Sequence, residues 1–211
     1  MKNSCLLTYL ILLLFITYGQ KGYAQQGMPY NLNMVHNNPG EAPYVTKYNE
    51  AEFLKSAGFS GVVPHWHINC AITYDNYKKN VVKKNTDERK WIEKHAEVID
   101  SKLDSLKKEG LEVYPFTDFL VFPKSIWNKY GSEILNKQSK HSNKPNLRNK
   151  RTQELLRAQI AGIFSRFPQI DGITLRFGET YLHDTPYHLG NSPIDGKNEI
   201  EDHILLINIL R

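Results

Sequence analysis

Residues 171–188 read DGITLRFGETYLHDTPYH, and the architecture turns on how this run is divided. Its first six residues are short, apolar and β-branched, so they read as a buried strand that stops at Arg176. The strand then delivers Arg176 and Glu179 to a loop crowded with Tyr181, His183, Asp184 and His188. A strand that opens onto polar groups at its carboxyl end is the repeating unit of parallel α/β folds. The question is whether the rest of the chain repeats that unit.

Working backwards, it does. Asn31–Val35 is a short apolar run that opens onto His36 and Asn37. Asn49 with Glu52 forms a capping box for a helix whose inner face is Phe53, Leu54 and Ala57, stopped by Gly58. Phe59–Pro64 is a second strand, ending in His65-Trp66-His67. Asn85 with Glu88 starts a long helix carrying Ile92, Ala96, Ile99, Leu103 and Leu106 in one stripe, closed by Gly110. Leu111–Phe116 is a third strand, ending at Thr117-Asp118. After an insertion, Leu155, Leu156, Ile160, Ile163 and Phe167 mark a helix that leads into the opening strand. A last helix, capped near Asn198, shows Ile200, Ile204, Ile207 and Leu210 on one side.

Strict alternation of strand and helix predicts an α/β fold with parallel strands covered by helices. Polar groups recur at every strand end, which is how a (β/α)8 TIM barrel builds a site. No glycine-rich phosphate loop follows the first strand, so a nucleotide-binding version is not expected. Only about four βα units are present, whereas such barrels run to about 250 residues. The sequence also ends at Leu210-Arg211 within an amphipathic pattern. The expectation is the amino-terminal part of a TIM barrel.

The amino terminus has a different logic. A lysine at position 2, an apolar run from Leu6 to Tyr18, and Gly22 and Ala24 in small-x-small spacing make a signal peptide over residues 1–24. The run is short for a membrane span of about 20 residues, although an uncleaved anchor is the other reading. The chain is therefore expected to be exported, with residues 25–211 as one partial barrel domain and no membrane span after cleavage. Cleavage leaves Cys70 as the single cysteine, so the fold must be held by its core and not by a disulfide. A net charge of +5 over 211 residues is small and dispersed, and predicts no nucleic-acid partner. The basic run KQSKHSNKPNLRNKR at 137–151 reads first as a solvated loop, and second as a rim that attracts acidic polysaccharide.

Each strand-end residue has a structural and a chemical reading. Glu179 is either a loop carboxylate or, shielded by Phe177 and Tyr181, a general acid of raised pKa. Arg176, within an apolar strand, must be paired, and Asp118 is the nearest candidate by position. Its alternative role is a fork that grips a substrate carboxylate. His36, Asn37, His65, Trp66, His67 and Asp118 open from the first three strands and are the groups that bind sugar hydroxyls and pyranose faces. Tyr181, His183, Asp184 and His188 would complete the rim. His65-x-His67-x-x-Cys70 and the His183, Asp184, His188 set match no standard zinc spacing, so neither metal nor cofactor is expected. No G-x-S-x-G elbow is present.

The stretches NMVHNNPGE, GVVPHWH, VYPFTDFLVFP and FPQIDGITLRFGETYLHDTPYH together resemble the (β/α)8 glycoside hydrolases of polysaccharide-degrading bacteria. The pattern around Arg176 and Glu179 is most similar to the α-glucuronidase-type enzymes. That resemblance implies a carbohydrate substrate that carries a uronic acid, Glu179 as general acid, and a share in uronate recognition for Arg176. It also implies a second carboxylate from later strands, which this sequence lacks. Asp118 and Asp184 are candidates for it by location only. A non-catalytic carbohydrate-binding or scaffold module is the second expectation, and a truncated product that does not fold stably is the third.

Overall fold

The computed structural model describes residues 30–35, 42, 44–176, 180–192, 194 and 199–211. The expected signal peptide, His36, Asn37, Glu179 and the Asn198 cap lie outside the described residues. From Leu32 onward the chain packs as one unit.

The alternation read from the sequence is present. Strand β1 (Leu32–Asn33) pairs in parallel with β2 (Gly61–Val62), and β2 with β3 (Glu112–Val113). Strand β4 (Phe116–Asp118) continues the β3 run and pairs in parallel with β6 (Thr174–Arg176). Backbone bonds join these ladders across the break. Tyr114 N donates to Val62 O at 2.9 Å and Phe116 N to Pro64 O at 3.0 Å. On the other side, Asp171 N donates to Val113 O and Thr174 N to Pro115 O, each at 3.0 Å. Four parallel segments therefore lie side by side in chain order. A short antiparallel pair, β5 (Val121–Pro123) with β7 (His188–Gly190), sits beyond the end of β4. No sheet among the described residues is closed.

Helix α1 (Ala51–Ser56) connects β1 to β2, and α2 (Asp87–Lys108) connects β2 to β3. Helices α3 (Lys124–Ile134) and α4 (Lys150–Arg166) lie between β5 and β6, and α5 (Glu199–Leu210) follows β7. The stripe Ile92, Ala96, Ile99, Leu103 and Leu106 is buried, as its spacing predicts. Helix starts depart from the reading. Thr86, not Asn85, caps α2, its hydroxyl accepting from Arg89 N at 3.2 Å. Asn49 lies in a 3₁₀ turn, and α1 starts after Glu50 without a side-chain cap. Glu88 is drawn away from its own helix end, taking the amide of Ser125 at 3.0 Å and the Ser125 hydroxyl. The segment read as an insertion contains α3, whose Ile126, Trp127 and Ile134 are buried. The basic run is mostly exposed, at Lys137, Lys140, His141, Arg148 and Lys150, although Lys144 and Leu147 are buried, Arg148 pairs with Asp202, and Arg151 with Glu133 and Glu154.

Burial along Glu112–Asp118 alternates. Val113, Pro115 and Thr117 face the helices and are buried, whereas Glu112, Tyr114 and Phe116 are half-buried. On β6 the same side carries Thr174, which is exposed, and Arg176, which is half-buried. The opening strand is thus not buried on both faces, as its composition suggested. The helices cover one face, and no described residue covers the other at Thr174. Parallel sheets normally have both faces covered.

Candidate functional site

Register puts Asp118 beside Arg176 at the carboxyl ends of adjacent parallel strands. Arg176 Nη1 lies 3.2 Å from Asp118 Oδ2, with the carboxylate side chain 1% exposed and the guanidinium side chain 20%. This is the pairing that an arginine in an apolar strand requires. The guanidinium also stacks on aromatic faces, 4.7 Å from the Tyr181 ring centre and 5.9 Å from that of Phe116. Burial pushes the Asp118 carboxyl up to about 6, although the charge and hydrogen bond of Arg176, the Ser192 hydroxyl and the Tyr181 backbone all draw it down. Its Oδ1 has no hydrogen-bond partner among the described residues. The main chain here is fixed from below. Asn69 donates its side-chain amide to the Asp118 carbonyl at 2.7 Å and accepts the Thr117 hydroxyl at 2.6 Å.

Imidazoles line the adjoining side. His65 bridges to Phe116 across the ladder and stacks on its ring at 4.3 Å, with the His67 ring at 4.5 Å. His67 has a left-handed backbone, φ 48°, unusual for a side chain of that size. His95 comes from α2 and stacks on Trp91 at 4.8 Å. Its Nε2 lies 2.9 Å from the Trp66 carbonyl. A carbonyl only accepts, so Nε2 carries the proton. Trp91 also approaches His188, at 5.6 Å. Burial lowers His67 to about 4 and His188 to about 3, with the neighbouring His95 adding to both. These two rings are neutral near pH 7. His188 is 3% exposed, and neither of its ring nitrogens has a hydrogen-bond partner among the described residues.

Of the residues expected to form the site, the structure brings together His65, His67, Asp118, Arg176 and Tyr181, with His188 buried behind the imidazoles. Trp66 meets that group only at His65, with which it lines one groove. Its ring packs against the core under the Lys102 ammonium, 5.8 Å away, and lines a groove of about 420 Å³ with Leu54 and Leu106. His183 and Asp184 occupy an exposed turn, and Asp184 is near enough to His67 to raise its pKa slightly against the dominant burial. Trp91, His95, Asn69 and Ser192 were not anticipated. Trp91 and His95 had a signal: with Lys102 they form a second stripe on α2, one residue removed from the apolar one. Asn69 and Ser192 had none, since both act through loop geometry. No group of three or more His, Cys, Asp or Glu among the described residues is placed to hold a metal ion.

This arrangement offers a carboxyl that burial holds above the usual carboxylate range, a cation with an aromatic platform, and uncharged imidazoles. Such groups bind and orient hydroxyls and carboxylates. Asp118 is 1% exposed and paired with Arg176. No family model matches the chain, and no curated protein is significantly similar to it.

Proposed function

We propose that the chain is the amino-terminal part of an exported (β/α)8 glycoside hydrolase domain, and that its strand-end rim binds a uronate-bearing oligosaccharide. The observation that carries this reading is the Asp118–Arg176 pair, stacked on Tyr181 and Phe116 at the ends of adjacent parallel strands. Chain-order pairing of four parallel segments, with helices on one face only, is the arrangement of consecutive barrel units. Among the described residues one nitrogen of Arg176 is held, by Asp118, and the guanidinium fork suits a carboxylate through two parallel hydrogen bonds. Glu179, just past Arg176 in sequence, is the general acid for the leaving oxygen. Glycoside hydrolysis needs a second carboxylate, acting on water or on the anomeric carbon. Of the two candidates by location, Asp118 is buried against Arg176 and Asp184 is exposed.

The test is hydrolysis of glucuronic-acid-bearing oligosaccharides by the purified chain and by Glu179→Gln. Activity that survives Glu179→Gln removes the acid assignment. The closure of Asp118 favours a second reading, a carbohydrate-binding module without turnover. It predicts saturable binding of the same oligosaccharides, unchanged in Glu179→Gln, and no product. Export is checked by the amino terminus of the secreted protein, expected at Gln25.

A further inference from the structure

Four lysines fall within seven residues, as KKNVVKK at 78–84. The two valines are buried, and the lysine pairs on either side of them are exposed. The loop is held in that shape. Asn80 has a left-handed backbone, φ 59°, donates its amide to Asp75 Oδ1 at 2.7 Å, and accepts the Lys84 amide on its side-chain oxygen at 2.9 Å. Lys79, Lys83 and Lys84 line one open groove of about 600 Å³. Two further cations stand beside the loop. Arg151 donates to the Tyr77 hydroxyl at 2.5 Å, and Arg151 and Lys129 both lie over the Tyr130 ring, at 5.0 and 5.4 Å. Lys129 is close enough to Lys78 to hold its ammonium below the usual lysine range, by side-chain hydrogen bonding and by charge. The nearby carboxylates are committed elsewhere: Asp75 to Arg89, Asp87 to Lys90, and Glu133 and Glu154 to Arg151. Lys78, Lys79, Lys83, Lys84 and Lys129 form no ion pair among the described residues. Such crowding of one sign of charge on a fixed loop raises the local concentration of anions.

We infer that the Lys78–Lys84 loop, with Lys129, is a docking surface for a linear polyuronate chain. This inference rests on the sugar reading of the rim, and extends it from a short oligosaccharide to a polymer. Topology sets the surface at the same end of the molecule as the rim. Helix α2 runs from β2 back to the parallel β3, so its first residue, and the loop just before it, lie at the carboxyl ends of the strands. Asp118 and Arg176 are at the same ends. The start of α3 is tied there too, because Glu88 on α2 accepts the amide of Ser125. Charge alone does not choose among polyanions, but the surroundings do. Val81 and Val82 are buried, so the loop exposes no large apolar side chain to enter a lipid layer. Tyr77 and Tyr130 are half-buried and pack edge to face on each other at 6.2 Å, with Arg151 against both. That is not the open stacking platform of a single-strand nucleic-acid binder. Hydrated ammonium groups without such a platform suit a polymer with one carboxylate per sugar.

The experiment is calorimetric titration of the purified full chain with polygalacturonate at low and high salt. Saturable binding is expected, weakening as the screening length falls from about 10 Å at 0.1 M salt to about 3 Å at 1 M. The combined variant Lys78→Gln, Lys79→Gln, Lys83→Gln, Lys84→Gln should lose at least about tenfold in affinity. Lys55→Gln with Lys108→Gln removes exposed charges at the opposite end of α2, about 30 Å along the helix, and should stay within about twofold. Should the fourfold variant fail to fold, Lys83→Gln with Lys84→Gln decides alone, by a loss of at least about threefold, while Lys83→Arg with Lys84→Arg keeps wild-type binding. No binding by the wild type, or an equal loss in the Lys55 and Lys108 pair, overturns the inference. Tighter binding to duplex DNA or to phosphatidylglycerol vesicles than to polygalacturonate overturns it as well. The rim is read separately, with a short glucuronic-acid-bearing oligosaccharide. Polymer binding without oligosaccharide binding removes the rim reading and leaves the surface standing. Oligosaccharide binding without polymer binding does the reverse.

Discussion

Asp118, His67 and His188 respond to pH in opposing directions. Folding raises the Asp118 carboxyl from 3.8 to about 6. The folded state therefore holds more protons than the unfolded one between those values, and this group lowers stability as pH rises through them, by about 3 kcal/mol in all. His67 and His188 are depressed from 6.5 to about 4 and about 3. Their stability is fully present above 6.5 and is lost as pH falls toward those values. The two imidazoles outweigh the one carboxyl. Thermal unfolding midpoints should fall as pH drops below 6.5, and His188→Phe, which keeps the ring and removes two buried nitrogens, should flatten that fall. A midpoint that rises on acidification would show that the imidazoles are not buried neutral. The Arg176–Asp118 pairing was legible because an arginine in an apolar strand leaves few options. The meeting of Trp91 and His95 with Trp66, His67 and His188 was not, because those partners are far from α2 in sequence.

Helix faces were legible wherever one apolar stripe had no competitor. On α2 the stripe read from spacing is the buried one, and Ile99→Ala should cost about 2–5 kcal/mol in denaturant unfolding. The cap was misplaced by one residue, since Asn85, Thr86 and Asp87 are all competent caps and only the helix register chooses. Thr86→Ala should lower stability by about 1 kcal/mol, with Asn85→Ala close to wild type. On α5, apolar residues surround the helix, and spacing alone cannot say which side packs. The residues read as one side divide: Ile200, Ile204 and Ile207 are exposed, Leu210 is half-buried against the core, and Leu206 and Ile209 face in. Helix α3 lies within the stretch read as an insertion; Pro123 occupies its N-cap position and Gly131 sits against the Trp127 ring. Gly61 illustrates the opposite case. A Cβ there would sit 2.5 Å from the Glu112 carbonyl, so Gly61→Ala should disrupt the β2–β3 pairing.

At the scale of the molecule, strand order and parallel direction followed from the alternation of short apolar runs with helical stripes. The uncovered sheet face did not, because a strand half open to solvent and a strand buried on both sides have the same apolar content in six residues. That face, with Arg176 and Asp118 at its rim, is the ground for the proposed sugar site. Trp66, turned toward α2, is not part of it. The most direct test is calorimetric titration of the purified chain with a glucuronic-acid-bearing oligosaccharide at neutral pH. Saturable binding is expected, weakened at least about tenfold in Arg176→Ala by loss of a charged, bidentate contact and close to wild type in Trp66→Ala. Absence of binding, or binding that Arg176→Ala leaves intact while Trp66→Ala abolishes it, would contradict the account.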